Sequence, residues 1–292
     1  MDKLPYINYN GSIMHADDYT FSNENRAFLY GDGLFESIRV INGQPCFFED
    51  HYKRFTKGCE AIGIVVPENY TVGFFENQIA TVLDKNNVDK GARLRLHIFR
   101  AAGGFYTPKN NELEFIIEVA PLLDNQYTLP EKGVQVDVFR EEKKLPGLIS
   151  RFKTKSALIY VMAQNHAIKN NMDESLIIND KDFVIESATS NIFLVSNGVL
   201  YTPALKDGCV AGVMRKQIIN LAIESNIKVY ESALTPQHLL SADEVFLTNA
   251  MGVRWVKSFK MQRYYHKLSD KLIRMINERV TSLKQDSQES LK

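Results

Sequence analysis

Cysteine is scarce in this chain, and the three present, Cys46, Cys59 and Cys209, stand far apart with no Cys-x-x-Cys pair. Such spacing supports neither a disulfide framework nor a zinc site. The six histidines are scattered without ligand spacing, so no metal is expected, and His51 is read as shaping the helix that carries Arg54. Net charge is missing as well. The 35 acidic residues balance 35 basic ones, which removes any general electrostatic case for nucleic acid or an anionic membrane. No apolar run approaches the roughly 20 residues needed to cross a bilayer, and the opening Met-Asp-Lys-Leu-Pro-Tyr has no apolar signal core. The expected partners are therefore small molecules and the expected compartment is the cytoplasm. No Gly-x-Gly-x-x-Gly follows a strand, so a nicotinamide site is not supported, and Gly31-Asp32-Gly33 reads as a tight turn. There is no internal repeat.

What is present is enough apolar residue, 45% of 292, for one large core or two modest ones. Residues 34–40 and 93–100 alternate apolar and polar as half-buried strands do, and between them 49–63 and 70–86 read as helices. Another strand is expected over 114–119. Pro121 to Gly133 then carries turn residues and no clear period, which places an interdomain linker at 122–133 between an N-terminal domain, 1–121, and a larger C-terminal domain, 134–292. The second domain opens on a strand at 134–139. Its pattern predicts helices at 155–171, 212–225 and 267–284, and strands at 174–179, 183–186, 191–196, 227–231, 243–248 and 254–259. The fold class is α+β, or mixed α/β, rather than a doubly wound parallel sheet. The polar tail from Lys284 to Lys292 is expected to fray.

Two residues carry the strongest chemical signal. Lys153 lies in Phe-Lys-Thr-Lys-Ser, and Glu186 follows it by 33 residues in Phe-Val-Ile-Glu-Ser-Ala-Thr-Ser-Asn-Ile-Phe. A lysine amine that can hold an aldehyde, with a carboxylate that can bond a pyridine nitrogen, is the pair that pyridoxal 5'-phosphate (PLP) chemistry on amino groups requires. Either residue alone would pass for a solvated charge. Three further segments fit the same chemistry. His51-Tyr52-Lys53-Arg54-Phe55 offers a planar guanidinium suited to a phosphate. Ala211-Gly212-Val213-Met214-Arg215 begins a helix whose free N–H groups and positive dipole end suit an anion. At Thr248-Asn249-Ala250-Met251-Gly252 a strand runs into a turn where small residues would let backbone amides approach a phosphate.

Taken in order, Gly-Asp-Gly-Leu-Phe-Glu, His-x-x-Arg-Phe, the lysine, Glu-x-x-x-x-Asn-Ile-Phe and Gly-Val-Met-Arg resemble the fold-type IV (class IV) aminotransferases. That family includes branched-chain aminotransferase, D-amino-acid aminotransferase and aminodeoxychorismate lyase. The resemblance runs from Tyr30 to Val256. It implies a two-domain PLP enzyme, a homodimer, with the cofactor at the domain interface. It implies that Lys153, rather than Lys155, bonds the cofactor and moves the proton, that Glu186 meets the pyridine nitrogen, and that Arg54 holds the phosphate with backbone amides at Val213, Met214, Asn249 and Ala250. Asn191 is read as a structural brace under the cofactor strand.

For substrate, the resemblance implies an amino acid, branched-chain type favoured, and a 2-oxo acid. Arg95 lies where branched-chain enzymes carry a substrate-side arginine, and Glu36 is assigned with it. Arg93 and Arg95 share one strand face while Leu94, Leu96 and Ile98 take the other. Departures point elsewhere. Leu158 stands where the branched-chain pattern has tyrosine, and the Asn-Ala turn with Gly-Val-Met-Arg looks more like the lyase, which releases pyruvate and leaves 4-aminobenzoate for folate. Phe105, though, replaces an arginine that the lyase pattern can carry. Aminotransfer is the first reading and the lyase the alternative.

Overall fold

A computed structural model describes residues 4–289, the side chains as far as 282. The chain divides into two units, one made of residues 1–126 with 152–156, the other of residues 127–151 with 157–292. The break at Gln126 and Tyr127 falls inside the expected linker.

The first unit is built on a six-stranded sheet of order β2-β1-β6-β5-β3-β4. Its strands are β1 (Tyr6–Tyr9), β2 (Ser12–His15), β3 (Gly33–Ile41), β4 (Gln44–Pro45), β5 (Ala92–Arg100) and β6 (Leu113–Pro121). A short helix α1 (Arg26–Tyr30) precedes β3; α2 (Phe48–Ile62) and α3 (Val72–Lys85) follow β4. Period-two alternation sets the two sheet faces apart. Leu34, Ile38, Val40, Leu94, Leu96 and Ile98 form one core with Phe55 and Cys59 of α2 and Phe75 and Ile79 of α3. In α2 the buried residues Phe48, His51, Phe55, Gly58 and Cys59 recur at helical spacing, which is why this helix lies on that face. Burial of a side chain such as Phe55 contributes about 1.5–3 kcal/mol. The opposite face carries Phe35, Ser37, Arg95, His97 and Glu118, because the register sets Phe35 beside His97 and Arg95 between Ser37 and Glu118.

The second unit holds a nine-stranded sheet of order β12-β11-β10-β13-β14-β7-β8-β9, with β15 on β14. Its strands are β7 (Val134–Lys144), β8 (Glu174–Asn179), β9 (Val184–Ser187), β10 (Asn191–Ser196), β11 (Val199–Thr202), β12 (Val229–Glu231), β13 (Glu244–Asn249), β14 (Gly252–Phe259) and β15 (Gln262–Arg263). The helices are α4 (Leu158–Lys169), α5 (Val213–Glu224), α6 (Pro236–Leu240) and α7 (Lys267–Glu289). Pairs β14–β7, β7–β8 and β11–β12 are parallel and the rest antiparallel. The mixed α/β expectation is met. Among the described residues no helix is long and apolar enough to cross a membrane.

The sequence reading puts Lys153 in the C-terminal domain and begins a helix at Lys155. Both points are corrected. Residues 152–156 belong to the first unit, where the peptide N–H of Phe35 donates to Lys153 O at 2.8 Å and that of Lys155 donates to Gly33 O at 2.9 Å. The segment is extended beside β3, and α4 starts only at Leu158. Of the expected polar tail, the α7 backbone continues to Glu289, and residues 290–292 lie outside the described residues.

Candidate active site

Lys153 and Lys155 flank Thr154, which bridges to Leu34, so the two lysines share the sheet face of Phe35 rather than the core face of Leu34. The Lys153 Nζ stands over the Phe35 ring, 4.6 Å from its centroid, and the Arg95 guanidinium is 4.8 Å from the same centroid. The Arg95 Nε is buried and has no hydrogen-bond partner. Lys155 is engaged differently. Its Nζ donates to His97 Nδ1, and His97 Nε2 donates to Glu118 Oε1 at 2.6 Å. Burial, helped by the Arg95 charge, brings the Lys155 amine down to about 8. Burial also lowers His97, outweighing the pull of Glu118 toward the cation.

Arg54 projects from α2 onto Glu36 of β3, a distance set by helix-on-sheet packing. Its Nε donates to Glu36 Oε1 at 2.8 Å, its Nη2 donates to Oε2, and His51 Nδ1 lies 2.7 Å from Oε2. Burial would raise the Glu36 carboxyl, but Arg54 and His51 outweigh it and hold Glu36 at about 2. His51 is moved the other way, below its usual range, chiefly by burial. Glu36 thus faces Arg54 within the first unit, under the core face of the sheet. Arg95 lies on the other face.

In the second unit Glu186 sits on β9 with 2% exposure, so each of its contacts matters. Oε1 accepts from Lys144 Nζ at 2.6 Å and from the Tyr160 hydroxyl at 2.9 Å, while Oε2 accepts from the peptide N–H of Val210 at 2.8 Å. Lys144 also donates to Ser150 O at 3.0 Å and Tyr160 OH at 2.8 Å. Burial and the neighbouring carboxylate push the Tyr160 phenol far up, which keeps it a donor.

The same loop is fixed from β10. Asn191 Nδ2 donates to Val210 O at 2.8 Å, and a Cβ on Gly212 would come within 1.9 Å of Asn191 Oδ1. Only glycine allows that approach. Gly212 is the residue before α5, whose first turn, Val213 and Met214 included, has no side-chain cap. Its N–H groups are those that a helix start leaves for an anion. Arg215 turns away, donating to Pro203 O at 2.8 Å and pairing with Glu231 at 2.6 Å. Asn249 closes the turn before β14: its Nδ2 donates to Ser190 Oγ at 3.1 Å and its Oδ1 accepts from Met251 N at 2.9 Å, with Ala250 between.

The structure therefore groups the expected residues in two sets. Lys153 and Arg95 meet over Phe35, and Arg54 meets Glu36, in the first unit; Glu186, Asn191, Val213 and Met214 gather around 210–212, with Asn249 against Ser190, in the second. Sequence reasoning misses Tyr160 and the pairing partners of Glu186 and His97. Lys144 reads there only as one of a basic stretch, and tyrosine is sought at Leu158, one side of the helix start, when the hydroxyl that reaches Glu186 comes two residues later. The Gly-Asp-Gly block proves structural. Asp32 pairs with Arg26 and Arg100, each at 2.8 Å, and Gly31 ends α1 at φ 65°. Among the described residues no cluster of metal-ligating side chains occurs, and all three cysteines are buried thiols.

A lysine amine and a buried, counter-charged carboxylate, with an uncapped helix start and a buried arginine for an anion, define an enzyme of amino-group chemistry on a phosphorylated pyridine cofactor. The comparisons with known proteins agree. The family model for amino-transferase class IV matches residues 33–259. A D-alanine aminotransferase of Staphylococcus epidermidis is 29% identical over 244 residues, 82% of this chain and 83% of its own. A Methanocaldococcus jannaschii protein named "Putative branched-chain-amino-acid aminotransferase" is 31% identical over 253 residues, 83% of each. Among solved structures, the branched-chain aminotransferase of Thermoproteus uzoniensis with norvaline superposes at TM-score 0.87 with 21% identity, covering 96% of this chain and 95% of that one. A Legionella pneumophila structure titled "Putative 4-amino-4-deoxychorismate lyase" gives TM-score 0.79 at 28% identity, covering 90% and 96%. This chain belongs to the class IV aminotransferase family.

Proposed function

We propose that this protein is a PLP-dependent aminotransferase that moves an amino group between an amino acid, branched-chain type favoured, and a 2-oxo acid. The observation that carries the reading is the matched pair of ends it needs: a desolvated lysine cluster at Lys153 and a carboxylate at Glu186 with its own cation, Lys144, 2.6 Å away. Bound there, the cofactor would supply an electron sink for the charge left when a Cα proton departs.

The residues fit that group. Lys153 holds the aldehyde carbon through its amine and afterwards moves a proton at the substrate Cα. Glu186 keeps a proton on the pyridine nitrogen, with Lys144, Tyr160 and Val210 N fixing the direction of its carboxylate. The phosphate is bound by the α5 start at Val213 and Met214, by the Asn249–Ala250 turn and by Arg54. Glu36 orients Arg54 rather than touching substrate, since both of its oxygens are engaged by Arg54 and His51. Asn191 and Gly212 set the loop that connects Glu186 to the phosphate end. Arg95, with its partnerless Nε, takes the substrate α-carboxylate.

The exposed aromatics Phe28, Phe105 and Tyr106 in the first unit suit association with a second copy, as a homodimer. The lyase remains the second reading, favoured by the Asn249–Ala250 turn and by the Legionella structure's likeness. Purified protein given PLP tests the enzyme reading directly. A visible absorbance band of the bound cofactor is expected, and protein that stays colourless overturns it.

A further inference from the structure

One face of the first unit's sheet concentrates positive charge in a way that the transfer of an amino group does not itself require. Arg93, Arg95, Lys153 and Lys155 share it, and the carboxylate that the register sets beside Arg95, Glu118, accepts from His97. Lys153 is the reacting amine, and Arg95 alone suffices for an α-carboxylate. Lys155 is left over.

Its surroundings are those of a positioned cation rather than of a surface lysine. The Nε2–H donated to Glu118 fixes the His97 tautomer, so Nδ1 is an acceptor, and Lys155 donates to it. One of the three ammonium N–H groups is thereby used and the side chain is half-buried. Arg95 and His97 are two residues apart on β5, hence about 6.6 Å along one face, which is roughly the reach between the two carboxylates of a short diacid. Burial already disfavours the charged forms of Lys155 and Arg95, so an incoming anion relieves both.

We infer that Lys155, aimed by the His97–Glu118 pair, is a specificity-determining residue that holds the far carboxylate of a dicarboxylic amino or oxo acid while Arg95 holds the near one. The substrate class this adds to the proposed function is a diacid as one of the two partners in transfer, and it rests on Lys153 being the reacting amine. No bond is made or broken by Lys155.

Binding of two unreactive acids to the cofactor-loaded protein, glutarate with two carboxylates and pentanoate with one, tests this by calorimetry. Glutarate is expected to bind the wild type more tightly. Lys155→Met should weaken glutarate by about tenfold to a hundredfold, the size of one hydrogen bond to a charged group, and leave pentanoate unchanged. Lys155→Arg should restore part of the difference. In turnover, Lys155→Met should raise KM for 2-oxoglutarate and spare 4-methyl-2-oxopentanoate. Equal binding of the two acids to the wild type, or an equal loss of both in Lys155→Met, overturns the inference while a bound-cofactor band leaves the proposed function standing. Protein that takes up no cofactor overturns both.

Discussion

The Lys144 ammonium lies 2.6 Å from Glu186 Oε1, and both side chains are withdrawn from water. A carboxylate that is to govern a pyridine nitrogen therefore comes with its own counter-ion. That pair also has a cost if broken, since removing one partner of a buried pair leaves the other uncompensated.

Glu186→Gln keeps the shape and loses the charge. The cofactor should still bind, while turnover falls by about two orders of magnitude or more, the scale of one well-placed charged group. Steady-state kinetics at saturating PLP read this. Turnover equal to wild type would remove Glu186 from the mechanism.

The two neighbouring lysines should separate cleanly. Lys153→Ala is expected to abolish both the bound-cofactor absorbance and turnover, and Lys155→Ala to keep the absorbance, because only Lys153 is the reacting amine. Borohydride trapping followed by peptide mapping names the labelled residue. A label on Lys155 would refute the assignment.

Arg54→Ala should weaken PLP retention by about 2–5 kcal/mol, the cost of truncating a desolvated charge pair, more than it slows chemistry at saturating cofactor. Because Glu36 would be left buried against His51 alone, the variant should also lose stability. Equilibrium dialysis of the cofactor beside a denaturant titration distinguishes the two effects. A dissociation constant equal to wild type would sink the phosphate role.

Acid should destabilise the protein in two stages. Glu36 is held at about 2 against an ordinary 4.5, so its contribution is complete above about pH 4.5 and is lost as pH falls toward 2. His51 is buried with a lowered proton affinity, so the unfolded chain gains a proton first as pH drops through about 6.5, and stability falls there as well. Denaturant midpoints between pH 7 and 3 in wild type and Glu36→Gln check this. A variant with the same acid limb as wild type would contradict it.

The choice of reaction can be read from half-reactions. An aminotransferase given only an amino donor should lose the visible band, and 2-oxoglutarate or pyruvate should restore it. Arg95→Ala should raise the Michaelis constants of donor and acceptor together. Release of pyruvate from aminodeoxychorismate with no acceptor, and no response to leucine, glutamate or D-alanine, would instead establish the lyase.

Much of this was legible in the residues. Strands at 174–179 and 191–196 are bounded as the apolar runs indicate, and Asn191 does brace the loop beneath it. Local periodicity could not reveal that Lys153–Lys155 runs extended beside β3, because the same residues adjoin a helical pattern and the deciding hydrogen bonds come from Gly33 and Phe35, far away in sequence. Nor could it assign Glu36, whose carboxylate is claimed by a helix 18 residues on. The short elements β1, β2, β11, α1 and α6 offer too few residues for a period to register.

The chain enters the first unit's sheet for five residues, 152–156, with both flanks in the second unit. Cutting the gene at Gln126 would thus yield a C-terminal fragment that carries the reactive amine without β3, the backbone that sets its direction. Neither half could be engineered, swapped or evolved as a separate module: the catalytic lysine is owned by one part of the sequence and aimed by the other.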